Sequence, residues 1–297
     1  MKAFFTIISC CFTCMVTFAQ DLEPRSYANL PKGLSALNAL YSLSHGNVIS
    51  DPSLPISDFK ITVHTFGSSY FHTFALANKL ARVQVILPFV HMSGNLKLNG
   101  VDTSGERTGF GDARVRFGIN LIGSPALDRK DFRSFQQKTI VGASLVASVP
   151  NGIYYKDKRI NIGSHRWAFK PEVGMSRRFK RVYAEAYAGV WFYANNNEFI
   201  TDKTLEQQPV FSFQLHACYY FKNQMWVGID GNWFNGGETS VDNVSAGDLR
   251  DNYRIGGTWS VPLSLKHSLK FQFHIGAFTK TGYDYNVASL GYQFVFF

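Results

Sequence analysis

From Asp112 to Leu121 the chain alternates without a break. Asp112, Arg114, Arg116 and Asn120 fall on one parity, and Ala113, Val115, Phe117, Ile119 and Leu121 on the other. Successive side chains of a β-strand point to opposite faces, so this segment has one charged face and one oily face. The pattern recurs along the chain. Trp167, Phe169, Val173 and Met175 oppose Arg166, Lys170, Glu172, Ser176 and Arg178, and Phe211, Phe213, Leu215 and Ala217 oppose Ser212, Gln214 and His216. Tyr253, Ile255, Trp259 and Val261 oppose Asn252, Arg254, Thr258 and Ser260, while Leu269, Phe271 and Phe273 oppose Lys270, Gln272 and His274. A soluble sandwich also alternates, so one such strand decides little. About a dozen of them, joined by connections that alternate between short and long, describe a barrel with lipid outside and water inside.

The alternation places strands near 35–45, 59–77, 81–96, 109–122, 136–149, 165–179, 182–195, 209–221, 225–235, 251–262, 268–280 and 287–297. Tight turns fall at 78–80, 180–181, 222–224 and 263–267. The connections at 46–58, 97–108, 150–164, 196–208 and 236–250 are longer and rich in Gly, Asn, Asp and Lys. Short turns on one rim and long loops on the other are the pattern of outer-membrane barrels. Two connections depart from it: 124–134 is long for a periplasmic turn, and 281–285 is short for an external loop. The expected fold is all-β, a membrane-spanning antiparallel up-and-down β-barrel of about 12 strands. Ten or fourteen strands stay open, because Gly33 to Leu40 also reads as a helical plug segment. The second strand does not resolve into two faces, and a bulge around Gly67 to Ser69 would shift its phase.

Lys2, an apolar run from Ala3 to Phe18 and small residues at Thr17 and Ala19 form the layout of a cleaved signal peptide. The chain therefore divides into a signal peptide (1–19), an N-terminal periplasmic tail or small plug (20–33) and a barrel (34–297). The expected location is the outer membrane of a Gram-negative bacterium. Cys10, Cys11 and Cys14 lie in the signal, so the exported chain keeps Cys218 alone and forms no internal disulfide. No other segment reaches the roughly 18 apolar residues of a spanning helix. A mean hydropathy of -0.08 suits strands with one wet face. The net charge of +9 fits contact with lipopolysaccharide phosphates, and export makes nucleic acid an implausible partner. The sequence leaves oligomeric state open.

Aromatic residues gather at the predicted strand ends. Trp191, Phe192, Tyr193, Trp233 and Phe234 lie at one rim, and Tyr219, Tyr220, Phe221, Trp226 and the cluster from Tyr292 to Phe297 at the other. Rings with a polar handle collect at membrane interfaces. Along the last strand the oily parity is Ala288, Leu290, Tyr292, Phe294 and Phe296, which puts Phe296 rather than the terminal Phe297 in register.

Several stretches resemble the MetA-pathway of phenol degradation family of outer-membrane "transporter" barrels, over nearly the whole exported chain. They include Pro24 to Pro31, Gly109 to Asp112, Asn120 to Leu127, Pro150 to Tyr154, and above all Asn161 to Glu172. Gln208-Pro209, Gly236-Gly237 and Arg254 to Gly256 follow. His165, where Asn is expected, and the Phe-Phe ending depart from the family pattern. The resemblance implies an outer-membrane barrel associated with uptake of small, often aromatic compounds, and it does not fix a substrate.

A charge on the lipid face costs roughly 2–4 kcal/mol at the bilayer midplane, so the charged parity faces the lumen. The candidate lining is Asp112, Arg114, Arg116, Arg166, Lys170, Glu172, Arg178, Glu185, Asp230, Arg254 and Lys270, with Tyr183, Tyr187 and Tyr220 on the same parity. The basic excess favours anions or carboxylated aromatics in passive uptake. The other readings are that these charges pair across strands and fill the lumen, and that the tyrosines are packing. A structural or enzymatic barrel without an open channel is the alternative function. Catalysis finds little support: Ser212 and His216 share a face but lie four residues, roughly 13 Å, apart on a strand. The remaining histidines show no metal-ligand spacing, and no cofactor or metal site is expected.

Overall fold

A computed structural model describes residues 22–49 and 56–297. The signal peptide expected at 1–19 lies outside the described residues. Seventeen strands follow in chain order. They are β1 Ser35–Ile49, β2 Ile56–Leu76, β3 Lys79–Leu98, β4 Val101–Phe110, β5 Ala113–Ile122, β6 Thr139–Val149, β7 Ala168–Phe179, β8 Val182–Tyr193 and β9 Asn196–Phe199. Then come β10 Lys203–Gln207, β11 Val210–Tyr220, β12 Trp226–Gly236, β13 Thr239–Val241, β14 Val244–Ser245, β15 Arg250–Pro262, β16 His267–Thr279 and β17 Gly282–Phe296. One helical turn, α1 (Arg129–Phe132), sits in the connection from β5 to β6.

Thirteen strands form one antiparallel sheet that closes on itself, because β2 pairs with both β1 and β3, and β1 with β17. β4 pairs with the outer half of β3 and β5 with its inner half, so these two make one broken stave. The barrel thus has twelve staves, the number expected. Its edges are abolished, which matters where lipid offers no hydrogen bonds. Gly33 to Leu40 enters β1 rather than forming a plug helix.

The facing follows the sequence pattern. Phe169, Val173, Met175, Phe211, Leu215, Ile229, Ile255 and Phe273 are exposed, while Lys170, Glu172, Ser212, Gln214, Asp230 and Arg254 are buried. An apolar outer wall around a charged interior is what a bilayer solvent demands. The short turns share one rim. At Ala77 and Asn78 both φ angles are positive (48° and 59°), as in the type I′ turns that suit twisted hairpins.

Three expectations need correction. β2 has no bulge at Gly67 to Ser69: pairing is continuous there, and its register shift with β3 lies between Ser57 and Lys60. Its alternation looked broken because the polarity of its faces inverts along its length. Below, Thr65 and Thr73 point inward; toward the long-loop rim, Phe59, Ile61 and Val63 are the buried ones. There they join Val90, Met92 and Ile162 in an apolar cluster under the loop at 150–167. Second, Trp191, Trp226 and Phe234 are buried inside the barrel rather than set in a lipid-facing girdle. Phe192, Tyr219 and Phe221 do face outward. Third, the long connections are more ordered than expected: 97–108 is mostly strand, with β3 and β4 joined by a tight turn at Asn99 and Gly100, and 196–208 and 236–250 contain a four-stranded sheet of β14, β13, β10 and β9, closed over Phe199, Leu205 and Val241.

Candidate functional site

The site is the lumen, and residues 22–33 run through it. Arg25 reaches β8: its backbone N donates to Glu185 Oε2 (2.7 Å) and its guanidinium to Glu185 Oε1 (2.8 Å). The guanidinium lies 3.9 Å from the Tyr183 ring centre and 5.5 Å from that of Tyr220. Glu23 pairs with Arg116, which also donates to Glu172 Oε1 at 2.7 Å. Lys170 closes the network at 3.0 Å from Glu172. Arg82 donates to the carbonyls of Ser26 and Ala28 and to Asn120. Further along, Thr73 Oγ1 donates to the Pro31 carbonyl (2.7 Å) and Lys32 N to the Leu127 carbonyl (2.9 Å).

Tyr27 is the tail's anchor. Its ring meets Tyr187 edge-on at 5.0 Å, and its hydroxyl lies 3.1 Å from both Ser144 Oγ and Glu172 Oε1. Burial, together with the Glu172 charge, pushes its phenol up to about 12, so it stays a donor. Gly142 and Gly174 stand opposite each other on β6 and β7 and open the space for this ring. A Cβ on either would lie well inside van der Waals contact of Tyr27.

The fourteen residues expected to line the lumen divide into four groups. Arg116, Glu172, Glu185, Tyr183, Tyr187 and Tyr220 all contact the tail or its immediate partners. Arg114 and Lys170 lie against Trp191, at 5.7 and 5.6 Å from its ring centre. With Glu23, Ser26 and Gln214 they bound a small recess on the long-loop side of the tail. Asp230 accepts from Thr258 (2.6 Å) and bonds His216 Nδ1 (2.7 Å), while Lys270 lies on β16 on the same parity as the buried His274. Asp112, Arg166, Arg178 and Arg254 serve the ends of the barrel. Asp112 accepts from Gly152 N and Ser164 N and Oγ, tying down the 150–167 loop. Arg166 bonds Gln207 near the long-loop rim, and Arg254 stacks on Tyr285 at 3.8 Å. Arg178 donates to the Lys180 carbonyl (2.8 Å) at the short-turn rim.

Sequence reading missed Arg82, Trp191 and the two glycines. Arg82 and Trp191 belong to the inner parity of β3 and β8, so their facing was available from the alternation; a glycine's partner was not. Ser212 Oγ and His216 Nε2 make no hydrogen bond to each other or to any other described residue, so no nucleophile–base pair forms there. Among the described residues no group of His, Cys, Asp and Glu has metal-binding geometry.

A model of the family described as "Putative MetA-pathway of phenol degradation" matches residues 44–289. The crystal structure of an outer membrane channel from Pseudomonas putida F1 superposes with a TM-score of 0.79 at 21% identity, covering 93% of this chain and 100% of that one. The transport unit of the autotransporter AIDA-I from Escherichia coli gives 0.52 at 9% identity (99% and 98% covered). The beta domain of the Bordetella autotransporter Brka gives 0.53 at 12% identity (89% and 100% covered). No curated protein matches.

Proposed function

The chain belongs to the MetA-pathway of phenol degradation family, and on that premise we propose that it is an outer-membrane channel for small solutes. Its short turns face the periplasm and its long loops the outside. The tail of residues 22–33 narrows the lumen, and the recess above it selects anions that carry an aromatic ring. The observation that supports this most is the placement of two cations, Arg114 and Lys170, over one buried indole, Trp191. A carboxylate is drawn by the two cations and a ring by the indole, both at reduced dielectric.

Current through the refolded protein in planar bilayers, with and without benzoate or phenol, tests this. Block or carriage of benzoate at concentrations where neutral phenol is inert supports the reading, and equal response to both contradicts it. The dense contacts of the tail favour a second reading, a barrel with no open channel. Silence of both the intact protein and one lacking its tail selects that reading.

A further inference from the structure

The basic excess is not spread over the molecule. In the short-turn connections (77–79, 123–138, 177–181, 221–225 and 263–266) there are eleven Lys and Arg against two Asp, an excess equal to the whole chain's +9. The rest of the sequence is balanced by formal charge, 19 Lys and Arg against 19 Asp and Glu. Nine of those eleven cations lie on one arc, from the turn before β3 through the connection between β5 and β6 to the turn between β7 and β8, which are neighbours in the sheet. Lipopolysaccharide phosphates, which the sequence charge suggested as a partner, belong to the opposite leaflet in the orientation proposed above.

Two guanidinium groups show what the arc faces. Arg177 follows Val173 and Met175 on the outward parity of β7, is exposed, and packs over Phe179 at 5.2 Å. Arg129 of α1 packs over the Phe297 ring at 4.7 Å. Neither has a carboxylate within 4.0 Å among the described residues, and the same holds for Lys180 and Arg181. A cation rooted on a lipid-facing aromatic, with its charge unpaired, sits where phospholipid headgroups lie. Soluble partners would meet a protruding patch; this arc instead follows the end of the membrane-spanning wall.

We propose that this arc binds the headgroups of anionic phospholipids in the periplasmic leaflet, with Arg177, Lys180, Arg181 and Arg129 as principal contacts. The surface rests on the membrane orientation proposed above, and not on the lumen conducting. Each basic residue near an anionic surface is worth about a fivefold change in affinity, and the attraction fades with salt. Native mass spectrometry of the intact barrel, offered phosphatidylglycerol and phosphatidylcholine in equal amount, reads this directly. The protein should retain phosphatidylglycerol preferentially. A variant carrying Arg177→Gln, Lys180→Gln and Arg181→Gln should lose that preference by tenfold or more, while its heat-modifiable migration shows the barrel intact. A control with Lys156→Gln and Lys158→Gln, on the long-loop rim, should retain it. Equal retention of both lipids, an unchanged preference in the triple variant, or an equal loss in the control overturns the proposal. None of these outcomes depends on conductance, so they leave the channel reading to its own test.

Discussion

Replacing Gly174 by alanine is the smallest change that sets the tail against the wall. The added Cβ would fall inside van der Waals contact of two Tyr27 ring carbons and 2.8 Å from Tyr187 Cδ1. The β7 backbone cannot retreat, since Gly174 is paired with Gly142 on one side and Tyr187 on the other. Nor has the Tyr27 ring a free direction: it packs on Ile140 and Tyr187, with its hydroxyl held at Ser144 and Glu172. Overpacking of this kind costs about 1–3 kcal/mol. The tail is held by side-chain contacts and the wall by a closed ladder of backbone bonds, so the tail yields. Concentrated on tail docking, that cost raises the released population roughly 5- to 150-fold. Single-channel recording reads it as a larger fraction of time in the higher-conductance state, and heat-modifiable migration on gels reports whether the barrel itself has folded. A folded Gly174→Ala barrel with unchanged open time would refute the idea that Tyr27 docking narrows the lumen.

Glu172→Gln removes the anion shared by Arg116, Lys170 and Tyr27. Arg116 keeps its pair with Glu23, but loss of the central buried charge from both ion pairs should lower the midpoint of thermal unfolding on gels by an amount equivalent to about 3–5 kcal/mol, and an unchanged midpoint would count against the network. Asp112→Ala takes away the acceptor for Gly152 and Ser164 and should expose residues 150–164 to protease while the barrel still migrates as folded. Protection equal to the unaltered protein would show that the loop's other contacts, such as Ile162 in its apolar cluster and Ile153 N on the Phe110 carbonyl, hold it without Asp112. Trp191→Ala should weaken block by benzoate roughly 5- to 30-fold, the worth of one or two kcal/mol of ring contact, with little change in conductance to chloride. Benzoate block of unaltered strength would remove the indole from the selectivity site.

The barrel was legible because a bilayer enforces a period of two. Where lipid lies outside, as along Phe211, Phe213 and Leu215, one parity is oily and the facing can be read by eye. Where a strand leaves the membrane the solvent outside changes and the rule with it, which is why β2 looked irregular though its pairing is continuous. The lumen charges were found by the same parity, but their partners were not. Arg25 and Glu185 are 160 residues apart, and nothing in either local sequence signals the other. Residues 22–33 follow no strand parity, since they meet several staves in turn: Arg25 bonds β8, Tyr27 meets β6 and β7, and Ser26 and Ala28 accept from β3. The small strands β9, β10, β13 and β14 are too short to leave an alternation. Trp191 and Trp226 misled for a related reason: an aromatic near a strand end suits the membrane interface, yet a lumen under a folded-in tail and loops buries a ring equally well.

Deleting residues 22–31 and comparing the conductance of the truncated and intact proteins in the same bilayer is the most direct measurement. A channel narrowed by its own N-terminal segment predicts a clear rise in single-channel conductance, with the barrel's gel migration preserved. Identical conductance from two folded barrels would contradict it, and would mean that the solute path, if there is one, does not pass Tyr27.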